Sequence, residues 1–185
     1  MKYLMGVDEG TTGCKAILFD QEGHQIAATG REYPSYYPHP GWVEQDIDEI
    51  KEAVFACIRE TIVKSKVDPA DIAGISHSNQ GITMVLLDEN EKPVFDHTIG
   101  WQDLRYVEML PELKKEVDLE EYLNISGMQY GTSIFLFFAG YRHTSRRSGQ
   151  RLDVFARTRI IFFASMVQMA TMLTKAVQIS FPWRV

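Results

Sequence analysis

Two short apolar runs, each ending in a carboxylate, open the sequence and are joined by the turn Gly10-Thr11-Thr12-Gly13. The runs cover residues 2–8 and 14–20, and their length and separation predict a β-hairpin. A second turn at 21–23 is followed by a run over 24–33 that predicts a third strand. Three consecutive antiparallel strands restrict the chain to folds that are built on a sheet.

A helix and several shorter elements follow the three strands. Apolar residues spaced three or four apart after Asp46 predict a helix to about Lys66, and Asp46 with Glu49 forms a capping-box-like start. Short strands are predicted at 72–76, 84–88 and 94–95, and helices at 101–113 and 119–123. This order of elements predicts an α/β fold with a mixed sheet.

The first hairpin turn carries residue types that bind metal ions and phosphates. Asp8, a carboxylate at a strand end, can hold a hydrated Mg²⁺ because hard cations take oxygen ligands. The glycines let backbone N–H groups approach a phosphate, and the hydroxyls of Thr11 and Thr12 add donors. An ordinary tight hairpin explains the same residue types. A Walker A loop is excluded, since that motif opens a helix whereas Lys15 begins a strand.

Three further segments combine polar and aromatic side chains. Residues 37–46 form an aromatic loop before the helix cap, for which simple packing of Trp42 is the more ordinary explanation. Residues 74–81 run from a strand into a loop whose amides could hydrogen-bond hydroxyls, although a solvated loop fits equally well. Residues 101–105 combine the aromatic ring of Trp101, the carboxylate acceptor of Asp103 and the guanidinium donor of Arg105, a combination that suits a polyol. A local Asp–Arg pair at a helix start is the alternative.

Together these motifs resemble the N-terminal lobe of the FGGY carbohydrate kinases, the family of glycerol kinase and xylulokinase. The string Asp8-Glu9-Gly10-Thr11-Thr12 matches the family's D-x-G-T-[TS] turn. Residues 38–46 match its PxPGWVExD stretch, residues 101–105 match W-x-D-x-R, and the GIS…Q…LLD strand pair also fits. The resemblance covers about residues 1–137 and implies a truncated actin-like/ribonuclease-H-like ATPase domain, with a mixed sheet flanked by helices.

The resemblance implies that the intact protein uses ATP and Mg²⁺ to phosphorylate a hydroxyl of a sugar or polyol. Asp8 would lie at the metal, and the residues at the nucleotide would be Asp8, Gly10, Thr11, Thr12 and Lys15. The residues lining the sugar pocket would be Gln80, Trp101, Asp103 and Arg105. No catalytic residue is expected in this chain, since the base is an Asp of the family's second lobe.

Two departures from the family pattern affect the substrate. Glycerol kinases usually carry Arg-Glu after the Gln of the Asn-Gln pair, whereas Gly81 and Ile82 stand there in this chain. This difference argues against glycerol. Glu9 replaces a residue that varies and is often Gln. A non-catalytic sugar- or partner-binding module made from the same lobe is the alternative function, while the two tryptophan motifs argue against another actin-like ATPase.

The charge of the chain changes sign near its end. Residues 1–140 hold 24 acidic and 11 basic side chains, whereas residues 141–185 hold one acidic and eight basic ones. Read in a shifted frame from Arg159, the segment can give YHFLRKYGADGYYVDES, which resembles the family's continuation. We therefore expect residues 1–137 to be an incomplete kinase lobe. Residues 138–185 are then a frameshifted tail that forms no packed native element.

The alternatives for this tail are a basic nucleic-acid arm and a membrane segment, and neither is favoured. Its apolar stretch at 160–173 is about 14 residues, short of the roughly 20 that span a bilayer. Basic residues without an aromatic platform give only nonspecific phosphate binding. We thus expect a sugar or polyol partner, no nucleic-acid or membrane partner, and an intact protein compatible with a homodimer.

The cysteines and the N-terminus bear on the compartment. Cys14 and Cys57 have no CxxC spacing, so neither a disulfide framework nor a zinc site is indicated. The apolar run before Asp8 is too short for a secretory signal. With 45% hydrophobic and 24% charged residues, the composition is that of a globular rather than a disordered protein. A cytoplasmic location is expected.

Overall fold

The computed structural model describes residues 1–87, 90, 93, 96–116, 118–127 and 159–162 and divides them into two compact units. The first unit contains Met1–Pro34 and Asp46–Gly81, and the second contains Ser35–Gln45 and the described residues from Ile82 to Phe162.

The described residues contain eight strands and three helices. In chain order they are β1 (Tyr3–Glu9), β2 (Gly13–Phe19), β3 (Gln25–Glu32), β4 (Glu44–Asp46), α1 (Ile47–Ser65), β5 (Ile72–Asn79), β6 (Met84–Leu87), β7 (His97–Ile99), α2 (Leu110–Glu116), α3 (Leu119–Ser126) and β8 (Arg159–Phe162). Single 3-10 turns at Pro69–Asp71 and Val107–Met109 precede β5 and α2.

The sheet of the first unit has the strand order β3-β2-β1-β5. Strand β2 is antiparallel to both β1 and β3, which confirms the three predicted antiparallel strands. Strand β5 is parallel to β1, so the sheet is mixed as expected. Pairing with β1 continues to Asn79, and β5 therefore extends beyond the predicted 72–76.

Helix α1 packs on this sheet and completes the core of the first unit. It begins where predicted, because the Asp46 side chain accepts hydrogen bonds from the backbone N–H groups of Asp48 and Glu49. It ends at Lys66, which has a left-handed φ of 57°. The buried core residues are Met5, Val7, Cys14, Ala16, Leu18, Tyr33, Ile50, Ala53, Val54, Cys57 and Ile58. The helix thus buries one face of the sheet, the face on which alternate residues of β1 and β2 lie.

The two cysteines lie in this core as free thiols. Cys14 on β2 and Cys57 on α1 have their sulfur atoms 3.5 Å apart. Burial raises the pKa of the Cys14 thiol to about 12, so the thiol is protonated at neutral pH.

The sheet of the second unit has the strand order β4-β7-β6-β8. Strand β6 is antiparallel to β7 and β8, and Met84, Val85 and Ile99 are buried. Strand β8 lies within residues 138–185, and the expectation that this segment forms no packed native element stays a prediction. The remaining tail residues, like the strand predicted at 94–95, lie outside the described residues.

One predicted helix begins later than the sequence suggested. Residues 101–106 form turns, and helical structure starts only at Val107 and α2, not at residue 101. The Asp103 side chain accepts a hydrogen bond from the backbone N–H of Arg105, and such local bonds compete with a helix. The helix predicted at 119–123 is confirmed as α3. Within the described part of the chain, the helices are too short or too polar to cross a membrane.

Candidate functional site

The Gly10–Gly13 turn is held in place by bonds within the turn and by bonds to Tyr33. The N–H of Gly10 donates to the carbonyl of Gly13 at 2.9 Å, and the Tyr33 hydroxyl donates to the carbonyl of Gly10 at 2.5 Å. The N–H of Tyr33 donates to the carbonyl of Thr12 at 3.3 Å. A side chain at Gly13 would lie 2.4 Å from the carbonyl oxygen of Arg31, so only glycine fits there. The turn therefore has one well-determined shape.

Asp8 and Lys15 lie side by side next to this turn. They are directly opposite each other in the β1–β2 register, which places their side chains on the same face of the sheet, and both are exposed. Ser78 of β5 is the neighbour of Asp8 on its other side. Thr11 and Thr12 lie in the turn itself. The structure thus gathers Asp8, Gly10, Thr11, Thr12 and Lys15 at one end of the first sheet.

Glu9, the neighbour of Asp8, points to the opposite face and is buried. Its carboxylate oxygen Oε2 lies 3.4 Å from Nε2 of His77, and both side chains are 5% exposed. Within the described residues, Glu9 Oε1 and both ring nitrogens of His77 have no hydrogen-bond partner. Burial raises the pKa of Glu9, and the nearby His77 only partly opposes that shift. The sequence indicated no role for His77, because its partner lies on another strand.

The loop after β5 carries Gln80 and a strained residue. The N–H of Gly81 donates to Oδ1 of Asn79 at 2.7 Å. Gly81 has a φ of 60° and Ile82 a φ of 54°. A left-handed conformation is costly for a β-branched residue, so strain is concentrated at Ile82. Gln80 is half-buried and belongs to the first unit, whereas the other predicted sugar-pocket residues belong to the second.

Trp101 stands at the tip of a tight turn in the second unit. The N–H of Asp103 donates to the carbonyl of Gly100 at 3.0 Å, which leaves Trp101 and Gln102 at the two corner positions. The N–H of Gly100 in turn donates to the carbonyl of Val43 at 2.9 Å. Trp101 as a whole residue is 46% exposed.

Asp103 and Arg105 occupy a buried network rather than an open surface. Oδ1 of Asp103 accepts from the backbone N–H and Nε of Arg105, at 2.9 and 2.8 Å. Oδ2 accepts from Nη2 of Arg105 and the N–H of Val43, both at 2.8 Å. Nη2 also donates to Oε1 of Glu44 at 2.8 Å. Burial lowers the pKa of Arg105, but the bonds to Asp103 and Glu44 outweigh it and raise that pKa, so the guanidinium is charged.

Two further side chains complete this network and were not singled out as site residues by the sequence. The guanidinium carbon of Arg105 lies 4.1 Å from the centre of the Trp42 ring, within the range of a cation–π contact. Nε2 of His97 lies 3.3 Å from Oε1 of Glu44. In the sequence, only the motif at residues 38–46 pointed to Trp42 and Glu44. The motif does not indicate which residues they contact.

Comparisons with known proteins agree on one family. The family model described as "FGGY family of carbohydrate kinases, N-terminal domain" matches residues 3–138. A glycerol kinase of Thermococcus onnurineus is 41% identical over 115 residues, which are 62% of this chain and 23% of that protein. Glycerol kinase 1 of Lactiplantibacillus plantarum is 39% identical over the same shares. The chain therefore spans about a quarter of the length of the curated relatives it matches.

Solved structures show a similar fold. The xylulose kinase from Rhodospirillum rubrum has a TM-score of 0.61 and 29% identity, covering 66% of this chain and 25% of that one. The protein described as a xyloylose kinase from Brucella ovis has a TM-score of 0.70 and 27% identity, covering 86% of this chain and 32% of that one.

Proposed function

We propose that the whole protein uses ATP to phosphorylate a hydroxyl of a sugar or polyol, since this chain belongs to the FGGY family of carbohydrate kinases and matches the family's N-terminal domain. The fold is the actin-like ATPase fold of the sugar kinases. One observation carries the proposal: Asp8 and its register partner Lys15 are both exposed on one face of the sheet, next to the Gly10–Gly13 turn. A carboxylate, a cation and a turn rich in N–H groups are together suited to a metal–polyphosphate ligand.

The nucleotide would bind at this end of the first sheet. Asp8 fits a hydrated Mg²⁺, since it offers an exposed carboxylate and hard cations prefer oxygen ligands. The metal would neutralise charge on the phosphates. Lys15 would add a second positive charge, and the turn, braced by Tyr33, would present the N–H and hydroxyl groups of Thr11 and Thr12. These residues position the phosphates rather than exchange protons with them.

Trp101 of the second unit and Gln80 of the first are each proposed as sugar-binding residues. Trp101 is an exposed aromatic residue, and the Gln80 amide can both donate to and accept from hydroxyl groups. The Arg-Glu pair of glycerol kinases is replaced by Gly81 and Ile82, neither of which can bond a polyol through its side chain. We therefore favour a substrate other than glycerol, although the curated relatives above are glycerol kinases.

The base that removes the hydroxyl proton would come from the part of the family's length that this chain does not span. The 185-residue chain is therefore proposed to be inactive alone, and its segment 138–185 is proposed to be read in the wrong frame. The coding DNA downstream of codon 185 tests this directly: a second kinase lobe in another frame is expected.

A coupled assay of ADP release by the complete protein tests the function. Turnover that needs MgATP and a polyol or ketose such as xylitol or D-xylulose is expected, whereas no turnover on any sugar or polyol contradicts the proposal. The 185-residue chain is the matched control. Loss of a general base alone costs ~10²–10⁴-fold in rate, so the control should be at least that much slower. Calorimetric binding of a sugar by a complete protein without turnover would favour the binding-module alternative.

A further inference from the structure

We propose that Arg105 is a positioning residue, which fixes the turn that carries Trp101 and does not itself contact the sugar. Asp103 is the link between the two, and Glu44 and Trp42 hold Arg105. The assignment of Trp101 to the sugar rests on the proposed function above, whereas the positioning of its ring does not.

Arg105 and Asp103 are already engaged inside the second unit. The Arg105 side chain is 7% exposed and that of Asp103 is 2% exposed. Each oxygen of Asp103 accepts two hydrogen bonds, so its capacity as an acceptor is largely used. Nε and Nη2 of Arg105 donate to carboxylates, and the Trp42 ring lies against the guanidinium. A sugar hydroxyl would have to displace charge-assisted bonds to reach either residue.

The turn that carries Trp101 is pinned at both ends to one neighbouring segment. At its start, the N–H of Gly100 donates to the carbonyl of Val43 at 2.9 Å. At its end, Asp103 Oδ2 accepts from the N–H of Val43 at 2.8 Å, and the N–H of Leu104 donates to the carbonyl of Gly41 at 2.7 Å. The bond between Asp103 and Val43 is therefore one of three that fix the turn that carries Trp101.

Arg105 determines the position of the Asp103 carboxylate. Its guanidinium binds both oxygens of Asp103, a geometry that fixes the carboxylate plane as well as its distance. Glu44, which is the next residue after Val43, accepts from the same Nη2. Arg105 thus joins the turn to the segment against which the turn is pinned. A lysine has no planar guanidinium and could not donate to both oxygens of Asp103 in this way.

Positioning of this kind changes affinity more than the chemical step. A pre-ordered ring does not have to be immobilised when the ligand binds, so loss of order should weaken sugar binding about 2- to 10-fold. In the complete protein, Arg105→Lys should raise KM for the sugar by about that factor and leave kcat nearly unchanged.

Fluorine NMR of the 185-residue chain labelled with 5-fluorotryptophan tests the positioning role without any ligand. The three tryptophans are expected to give three signals, and Trp101→Phe identifies the relevant one. Below the melting transition, Arg105→Met should move the Trp101 signal toward that of free 5-fluorotryptophan and narrow it, with Arg105→Lys in between. The matched control is Arg59→Met, because Arg59 is an exposed arginine with one carboxylate partner, Glu52. This control should leave the Trp101 signal unchanged.

A purely structural role would lower the melting temperature without altering the Trp101 signal below it, and that result would overturn the proposal. If Arg105→Met does not fold, Arg105→Lys and Glu44→Gln decide the question by the same criterion. Titration of the complete protein with D-xylulose and xylitol is a separate measurement. Failure of Trp101 to respond there counts against the proposed function, while the ligand-free spectra decide the positioning role.

Discussion

Replacing Gly13 with alanine should destabilise the first unit and distort the proposed nucleotide site at the end of its sheet. The added Cβ would lie 2.4 Å from the carbonyl oxygen of Arg31 and 2.9 Å from the Cα of Glu32. Both are backbone atoms of β3, and Gly13 is the register partner of Glu32 in the β2–β3 pair. The two strands therefore have to separate at this point, since no flexible side chain can move aside.

The size of the effect follows from that geometry. An ordinary contact of a Cβ atom is 3.4 Å or longer, so the strands must part by about 1 Å. Overpacking of this kind costs about 1–3 kcal/mol, and loss of one hydrogen bond of the ladder costs about 1 kcal/mol more. We expect a loss of about 2–4 kcal/mol in the free energy of unfolding. The bond between Tyr33 and Thr12 should weaken too, and binding of MgATP by the complete protein with it.

Urea unfolding followed by far-UV circular dichroism measures this loss. Gly74→Ala is the matched control, because Gly74 lies in the same sheet and its added Cβ would meet only the Leu4 side chain, at an ordinary 3.6 Å. The control should change stability by less than about 1 kcal/mol. Equal effects of the two substitutions would refute the reasoning, since the close approach of Gly13 to β3 would then have no energetic consequence.

The remaining predictions concern charge, pH and the tail. In the complete protein, Asp8→Asn should lower kcat strongly without lowering the melting temperature, because Asp8 is exposed, whereas Trp101→Ala should mainly raise KM; similar changes in the same kinetic parameter would contradict both roles. The raised pKa of Glu9 means that the folded state binds the Glu9 proton more tightly than the unfolded state does. Protonated Glu9 should therefore contribute stability below pH 4.5, and this contribution should decline as the pH rises toward the pKa of Glu9 in the folded state. Glu9→Gln should flatten that part of the stability curve in urea titrations between pH 4 and 8, and an unchanged curve would show that Glu9 titrates normally. Amide hydrogen exchange should show much weaker protection in residues 145–180 than in α1, and comparable protection would rule out the frameshift interpretation.

Much of the fold could be predicted from the sequence because its signals are local. The β1–β2 hairpin, the third strand and the capped start of α1 depend on residues a few positions apart. The proposed nucleotide site at the end of the first sheet also depends on local signals. Asp8, Gly10, Thr11, Thr12 and Lys15 come together because a hairpin brings its own two strands together, and that follows from the turn between them.

The second unit was harder to predict for two reasons. Strands β4 and β7 are three residues long, too short for a periodic pattern to appear. The segment 101–113 has a helical pattern, but side-chain bonds from Asp103 delay the helix. Only in the second case did an interaction specific to one position outweigh an average tendency.

The sequence by itself determined which family this chain belongs to, where its first helix starts, and which residue types stand at each strand end. Only the tertiary structure decided what those residues touch. Asp8 and Glu9 are adjacent and chemically alike, yet α1 covers one face of β1, and burial there raises the pKa of Glu9 while Asp8 stays exposed. Arg105 donates a hydrogen bond to Glu44, 61 positions away, and its side chain is buried together with that of Asp103. Burial and long-range pairing are properties of the folded chain, because both depend on which distant segments share one small volume.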